Sequence, residues 1–251
     1  MSARILSSGQ LMNRIIRSLN RKSPLSVISI GSTESFVMAQ YHILSEEEFM
    51  NHREAKRTNR SGRRGFKFPN ATLRDQMIRA AKQADIVGYN IAHRVENAGL
   101  MTERVFKKYH IRPKVTYDSL IRRVIMFSQK KKFKEMLRNR RIVLIGNIAT
   151  ETKRSLNRRW KEKLNFKIVK SINMKSFDEM DKVKKMLDEV GDYDLALIAA
   201  GVNAVILAPY IARKHGKVAF DLGQGMGSLT SEQVRVTGFV RSVGLKNLMR
   251  M

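Results

Sequence analysis

The stretch from Asp192 to Gly225, DYDLALIAAGVNAVILAPYIARKHGKVAFDLGQG, constrains the fold more than any other part of the chain. Its unbroken apolar run, Leu195 to Ala200, ends at Gly201, which is typical of a strand buried on both faces. A helical pattern follows, and its basic last turn before Gly216 predicts where the helix ends. Lys217 to Phe220 predicts a second strand. Strand, helix and strand within about thirty residues indicate a βαβ unit, which requires parallel strands.

Similar alternation is predicted elsewhere. Strands are expected at Pro24–Ile30, Ala84–Tyr89, Arg141–Gly146 and Phe166–Ile172, and helical patterns separate those of the second half. The segment Tyr117–Asn139 has apolar residues spaced for a helix with one buried face. We therefore predict an α/β fold with a mostly parallel, Rossmann-like sheet flanked by helices. Ligands of such sheets bind outside the carboxyl ends of the strands.

Glycines are predicted at five of these strand ends: Gly31, Gly88, Gly146, Gly201 and Gly223. A glycine at a strand end often serves only to make the turn. Five glycines along one edge of the sheet favour a binding surface at which a phosphate group can approach the backbone closely. Neither a P-loop nor a complete G-x-G-x-x-G fingerprint is present, so the sequence alone does not specify a dinucleotide.

Two carboxylates follow predicted strands. Glu34 lies just after Gly31 at a helix start, and Asp221 directly follows the strand VAF. Each carboxylate is open to two interpretations: it takes part in chemistry, or its role is structural. For Glu34 the structural role is that of a surface carboxylate favoured by the helix dipole. The five histidines lack zinc-site spacing and the chain has no cysteine, which argues against zinc and excludes thiolate metal sites.

Charge predicts a polyanionic partner or surface. The chain has 49 Lys and Arg against 22 Asp and Glu, a net charge of +27. Nucleic acid, anionic lipid, a phosphate-bearing polymer and an acidic coat all fit this charge, although no RNA- or DNA-binding signature is visible. Residues 1–23 form a basic helical segment, which either packs on its own domain or lies on an anionic membrane. Without a secretory signal or a long apolar run, we expect a cytoplasmic protein, with contact to an anionic membrane or coat surface left open.

The order of four segments, SVISIGSTESF, ADIVGYN, RRIVLIGN and the opening stretch, resembles the GT-D fold glycosyltransferases, a bacterial family that uses nucleotide-sugar donors. The resemblance runs from about residue 24 to about residue 228. It implies one GT-D-like domain over residues 24–251, preceded by the helical segment. It also implies transfer of a sugar from a nucleotide diphosphate sugar, and the basic charge suggests an acidic or surface-associated acceptor.

The resemblance implies roles for particular residues. Gly31 and Glu34 match the family segment that holds a divalent metal, Mn or Mg, against the donor diphosphate. Arg122 matches a family arginine, although the neighbouring Arg123 leaves the register open. Ser32 stands where the family has an aspartate, which weakens the metal site. The residues that match the loops around the nucleotide sugar are Gly146, Asn147, Gly201, Asp221, Gly223 and Gln224. Two alternatives stay open, a catalytically silent relative that binds a nucleotide sugar and a basic nucleic-acid-binding protein.

Overall fold

A computed structural model describes residues 3–62, 65–91 and 98–251 of the chain. Its strands are β1 (Arg4–Leu6), β2 (Leu25–Ile30), β3 (Ile86–Tyr89), β4 (Val115–Asp118), β5 (Arg141–Gly146), β6 (Lys167–Ile172), β7 (Leu195–Ala199) and β8 (Val218–Asp221). They form one sheet in the order β1-β4-β3-β2-β8-β7-β5-β6. Every strand pair is parallel, which confirms the predicted α/β fold.

The helices alternate with the strands. They are α1 (Ser8–Asn20), α2 (Ser32–Ala39), α3 (Glu46–Asn51), α4 (Arg53–Ser61), α5 (Ala71–Gln83), α6 (Ala98–Tyr109), α7 (Ile125–Ser128), α8 (Lys130–Leu137), α9 (Ala149–Leu164), α10 (Met180–Asp188), α11 (Val202–Tyr210), α12 (Gly225–Ser231), α13 (Gly238–Val243) and α14 (Leu245–Arg250). The 3₁₀ turns Ser119–Arg123 and Phe177–Glu179 and the π turn Ile211–His215 complete the order. No helix of the described residues is long and apolar enough to cross a membrane.

The central strands of the sheet are buried on both faces because they carry apolar side chains on both sides. In β2, Leu25 and Val27 pack into one layer and Ile28 and Ile30 into the other. The first layer contains α1, α7, α8, α9 and α12, and the second contains α2 to α6, α10 and α11. Such two-sided burial is the arrangement expected of parallel sheets.

The N-terminal residues belong to the same sheet. β1 pairs with β4 at one edge. α1 begins at a capping box in which the Ser7 side chain accepts from the Gln10 N–H and the Gln10 side chain accepts from the Ser7 N–H. The apolar side of α1, including Leu11 and Ile15, is buried in the first layer. The helix therefore packs on the sheet.

The predicted alternation of the second half is confirmed. β5, α9, β6, α10, β7, α11 and β8 follow one another as the sequence indicates. α11 and its π turn end at Gly216, where φ is +66°, a left-handed conformation that glycine adopts without strain.

The prediction of a helix over Tyr117–Asn139 is wrong at its start. Tyr117 lies inside β4, and the Asp118 carboxylate then accepts a 2.8 Å hydrogen bond from the Leu120 N–H, which turns the chain. The helical part is divided at Gln129, whose φ of −122° and ψ of 40° are not helical. Local capping and the pairing of β4 override the apolar spacing.

The placement of Gly88 at a strand end is also wrong. Gly88 lies inside β3, and a Cβ atom there would be 2.4 Å from Cζ of the buried Tyr117 ring. The glycine therefore makes room for a neighbouring side chain, which is a packing role.

Candidate functional site

A cavity of about 630 Å³ lies at the carboxyl edge of the sheet, where β2, β5, β7 and β8 end. The chain passes from β5 outward to β6 and then returns on the other side of β5 to form β7. This reversal is a topological switch point, and ligands of open α/β sheets bind in the crevice that it creates.

The structure brings the predicted residues to this edge. Glu34, Asn147, Gly201 and Gln224 line the cavity. Gly31 and Ser32 form the start of α2 beside Glu34, and Gly146 is the last residue of β5. The other three predicted residues, Arg122, Asp221 and Gly223, form a separate group behind the wall.

Glu34 is held by the backbone at the start of α2. Its Oε2 atom accepts a 3.0 Å hydrogen bond from the Gly31 N–H. This is the geometry of a helix cap. Oε1 has no hydrogen-bond partner in the described part of the chain. The Ser32 hydroxyl neighbours it on an exposed residue.

A buried ion pair joins Arg122 and Asp221. Arg122 Nη1 donates to Asp221 Oδ2 at 2.5 Å, and only 4% of the Asp221 side chain is exposed. Burial raises the pKa of Asp221 to about 6, with Glu34 adding to the rise and Arg122 opposing it. The next residue, Arg123, donates instead to Thr237 Oγ1 at 2.7 Å, so the structure places Arg122 against the site's carboxylate.

A second buried group supports this pair from beneath. The Tyr117 hydroxyl donates to the Ile28 carbonyl at 3.2 Å and shares a 2.6 Å hydrogen bond with Ser29 Oγ. Burial raises the pKa of Tyr117. These contacts tie the Tyr117 side chain of β4 to the backbone and side chain of β2. Sequence reasoning missed Tyr117 and Ser29 because no local pattern marks them.

Gly201 and Gly223 differ in what surrounds them. At Gly223, where φ is +49°, a Cβ atom would be 2.5 Å from Arg122 Nη1. The guanidinium therefore requires this glycine. At Gly201, where φ is +56°, a Cβ atom would have no neighbour within 4 Å, and the residue lines the cavity. Close backbone approach of a ligand is therefore open at Gly201.

The lining residues that sequence reasoning missed include Phe66, Met174 and Lys175. Their loops are joined by hydrogen bonds from Ser176 Oγ and the Phe177 N–H to the Gly65 carbonyl, at 2.9 and 2.8 Å. These contacts link distant parts of the chain, and no short motif predicts them.

Most of the chain matches a known protein family. The family profile described as "GT-D fold-like domain" matches residues 6–229. The chain belongs to the GT-D-like family. Among curated proteins no significant match was found.

Solved structures show that the GT-D-like chain shares its fold with glycosyltransferase-fold proteins. One is described as "A New Glycosyltransferase (DUF1792) from Streptococcus sanguinis", with 15% identity, a TM-score of 0.58, and coverage of 94% of this chain and 88% of that one. A second is described as "The highly conserved domain of unknown function 1792 has a distinct glycosyltransferase fold", with 15% identity, a TM-score of 0.57, and coverage of 92% and 80%. A third, a selenomethionine-substituted structure of domain of unknown function 1792, has 16% identity, a TM-score of 0.55, and coverage of 88% and 78%.

The residues of this GT-D-like chain do not fit a pre-formed metal centre. Glu34 is the carboxylate of the cavity wall, Ser32 supplies a neutral hydroxyl, and Asp221 is occupied by Arg122. No three Asp, Glu, His or Cys side chains come together as metal ligands in the described ranges; His93 and Glu96 lie outside those ranges. Manganese and magnesium prefer several oxygen ligands. The capping carboxylate of Glu34, beside an Asp221 that is paired with Arg122, supplies too few of them.

Proposed function

We propose that this chain transfers a sugar from a nucleotide diphosphate sugar to an acceptor hydroxyl. The observation that carries the proposal is the cavity at the switch point of a GT-D-like fold, with Glu34 and Gly201 on its wall. Its volume of about 630 Å³ lies in the range of small-molecule sites, about 300 to 1,000 Å³.

The donor diphosphate is proposed to lie at the start of α11, over Gly201. A helix start presents backbone N–H groups and a positive dipole end, both of which favour phosphate. Gly201 leaves open space above the backbone, and Lys175 on the same cavity wall adds a cation. Arg122, behind the wall, is neutralised by its ion pair with Asp221 and adds little net charge.

Glu34 is proposed as the catalytic carboxylate. In the transfer, the acceptor oxygen bonds to the anomeric carbon while the bond from that carbon to the β-phosphate oxygen breaks. Glu34 Oε1 takes the hydroxyl proton, and the nucleoside diphosphate leaves with the bonding electron pair. A carboxylate held within hydrogen-bond reach of the hydroxyl can act as such a base, and the Gly31 N–H fixes Glu34 through its other oxygen.

The acceptor is proposed to be acidic or attached to an acidic surface, because a chain with a net charge of +27 attracts anions. A catalytically silent relative is the second candidate, and it is favoured by Ser32, which stands where the family has an aspartate.

The test is a calorimetric screen of nucleotide diphosphate sugars, with and without manganese. We expect one donor to bind the wild type and Gly191→Val but not Gly201→Val. The control fits because Gly191 also has a positive φ, +73°, and open space around it, but does not line the cavity. Donor affinity that is unchanged in folded Gly201→Val would move the site elsewhere.

Chemistry is tested separately with Glu34→Gln, whose amide oxygen can still accept from the Gly31 N–H. We expect this variant to bind donor and to lose transfer. If no donor is transferred or hydrolysed by the wild type even with manganese, while Ser32→Asp restores turnover, the silent-relative candidate is correct.

A further inference from the structure

Three neighbouring helices of the first layer, α1, α8 and α9, form a basic face. Lys132 Nζ donates to the Gly9 carbonyl at 3.3 Å and Gln129 Nε2 donates to Ser8 Oγ at 3.0 Å, which joins α1 to α8. Lys134 lies 5.6 Å from the Trp160 ring centroid, which joins α8 to α9. Together the three helices contain twelve Lys and Arg and only three Asp and Glu.

The opposite layer is far closer to neutral. Its seven helices, α2 to α6, α10 and α11, contain thirteen Lys and Arg and nine Asp and Glu. Among these helices the excess of positive charge is therefore greater in the first layer, where the three helices of the basic face have few acidic residues to offset their cations, and such an uneven distribution gives the molecule a directional field.

Most of the cations of the basic face have no acidic partner within the fold. Arg159 forms an ion pair with Glu232 at 3.1 Å. Eight exposed residues form no ion pair in the part of the chain that the structure describes: Arg14, Arg17, Lys130, Lys131, Arg154, Arg158, Lys161 and Lys163. Repulsion among these cations destabilises the folded chain, and a bound anion would offset that repulsion. Their charge therefore fits an anionic partner outside the chain.

The shape of the basic face favours a broad partner. α9 alone, with sixteen residues, is about 24 Å long, and three helices side by side are roughly 20 Å across. The apolar sides of α1 and α8, including Ile15 and Phe133, are fully buried. The face therefore offers charge and no apolar surface for insertion, which suits a layer of headgroups.

We propose that the basic face docks on the anionic lipid headgroups of a membrane. Lipid is favoured over nucleic acid because Trp160, the one tryptophan, is partly buried with Lys134 and Arg159 beside its ring, 5.6 and 5.1 Å from the centroid. It is therefore not an open platform for base stacking. Docking would leave the cavity accessible, because Phe66 and Met174 of its wall pack with the opposite layer. The inference does not depend on the proposed activity.

The test uses the full chain in sedimentation with vesicles of phosphatidylcholine alone or with about one third phosphatidylglycerol. We expect binding only to the anionic vesicles, lost as the salt concentration rises from about 0.05 to about 0.5 M. The face variant reverses four cations: Lys131→Glu, Arg154→Glu, Arg158→Glu and Lys161→Glu. The control variant reverses four exposed cations of the opposite layer and has the same net charge: Arg79→Glu, Lys82→Glu, Lys107→Glu and Lys182→Glu.

The face variant should bind anionic vesicles roughly a hundredfold or more weakly than the control variant, because each cation near the headgroups contributes to binding. Equal losses in the two variants would overturn the proposal, since net charge rather than this face would then govern binding. Equal binding of the wild type to neutral vesicles would also overturn it. Tighter binding to duplex DNA than to anionic vesicles at the same salt, lost in the face variant, would assign the face to nucleic acid.

The fluorescence of Trp160 allows the docking face to be tested in the wild-type protein, without any substitution. Trp160 is the one tryptophan of the chain and lies within the basic face. Vesicles that carry a quencher on their headgroups should therefore quench its fluorescence when the protein binds. Vesicle binding without quenching would show that another surface makes the contact.

Discussion

Gly146, at the sheet edge beside the cavity, is expected to tolerate a methyl group poorly. It ends β5, its φ is +147°, and it pairs with Ala199 of β7. A Cβ atom would lie 2.4 Å from the Ala199 carbonyl oxygen and 2.8 Å from the carbonyl carbon. Both neighbours are backbone atoms, so Gly146→Ala can be accommodated only if the two strands separate where they form the cavity.

The cost has two parts. Forcing strands apart around one added carbon typically costs about 1 to 3 kcal/mol, and a non-glycine residue in this backbone region costs about 1 to 3 kcal/mol. We therefore expect Gly146→Ala to lower the free energy of unfolding by about 2 to 6 kcal/mol. In a chain of this size, that corresponds to a Tm lower by roughly 4 to 24 °C.

Gly191→Ala is the matched control. Gly191 has φ +73°, and a Cβ atom there would have nothing within 4 Å, so this variant carries the backbone cost alone. Urea unfolding of both variants separates the two parts. The reasoning is refuted if Gly146→Ala is no less stable than Gly191→Ala.

Three further predictions concern the site. Gly223→Val should break the ion pair of Arg122 with Asp221, because a Cβ atom would lie 2.5 Å from Arg122 Nη1; urea unfolding should show a loss of stability, and an unchanged midpoint contradicts this. The raised pKa of Asp221, about 6 against an ordinary 3.8, means that the folded chain holds this proton more tightly than the unfolded chain. The stabilisation from this bound proton is complete below about pH 4 and is lost as the pH rises through about 6. The free energy of unfolding of the wild type should therefore fall by up to about 3 kcal/mol relative to that of Asp221→Asn between these pH values. A difference between the two proteins that does not change with pH contradicts this. Ser32→Asp should raise manganese affinity in calorimetry by adding a second carboxylate near Glu34, whereas tight manganese binding by the wild type without donor would contradict the fit described above.

The second half of the sheet is predicted well because β5 and β7 are continuous apolar runs that end near a glycine. A strand that is buried on both faces requires such a run, so the pattern can be recognised from the sequence. β1 has only three residues, and β4 overlaps the start of the segment whose apolar spacing predicts a helix, so pairing with distant strands decides both.

The candidate site was predicted in part. Strand ends identify the edge of the sheet, which is why Gly201 and Asn147 were found. Arg122 entered through family resemblance, and its ion pair with Asp221 joins residues almost a hundred positions apart. Lys175 and Phe66 reach the cavity through loop contacts that one sequence does not reveal.

The central position of β8 has a consequence for synthesis on the ribosome. β8 comes last among the described strands, yet it lies between β2 and β7, with Val218 beside both Leu25 and Leu195. Until β8 emerges from the ribosome, β2 and β7 each present an unpaired edge, and such edges on nascent chains invite aggregation. The two halves of the sheet can therefore join only after Asp221 has emerged, and a chaperone that shields these edges would be needed most just before that point.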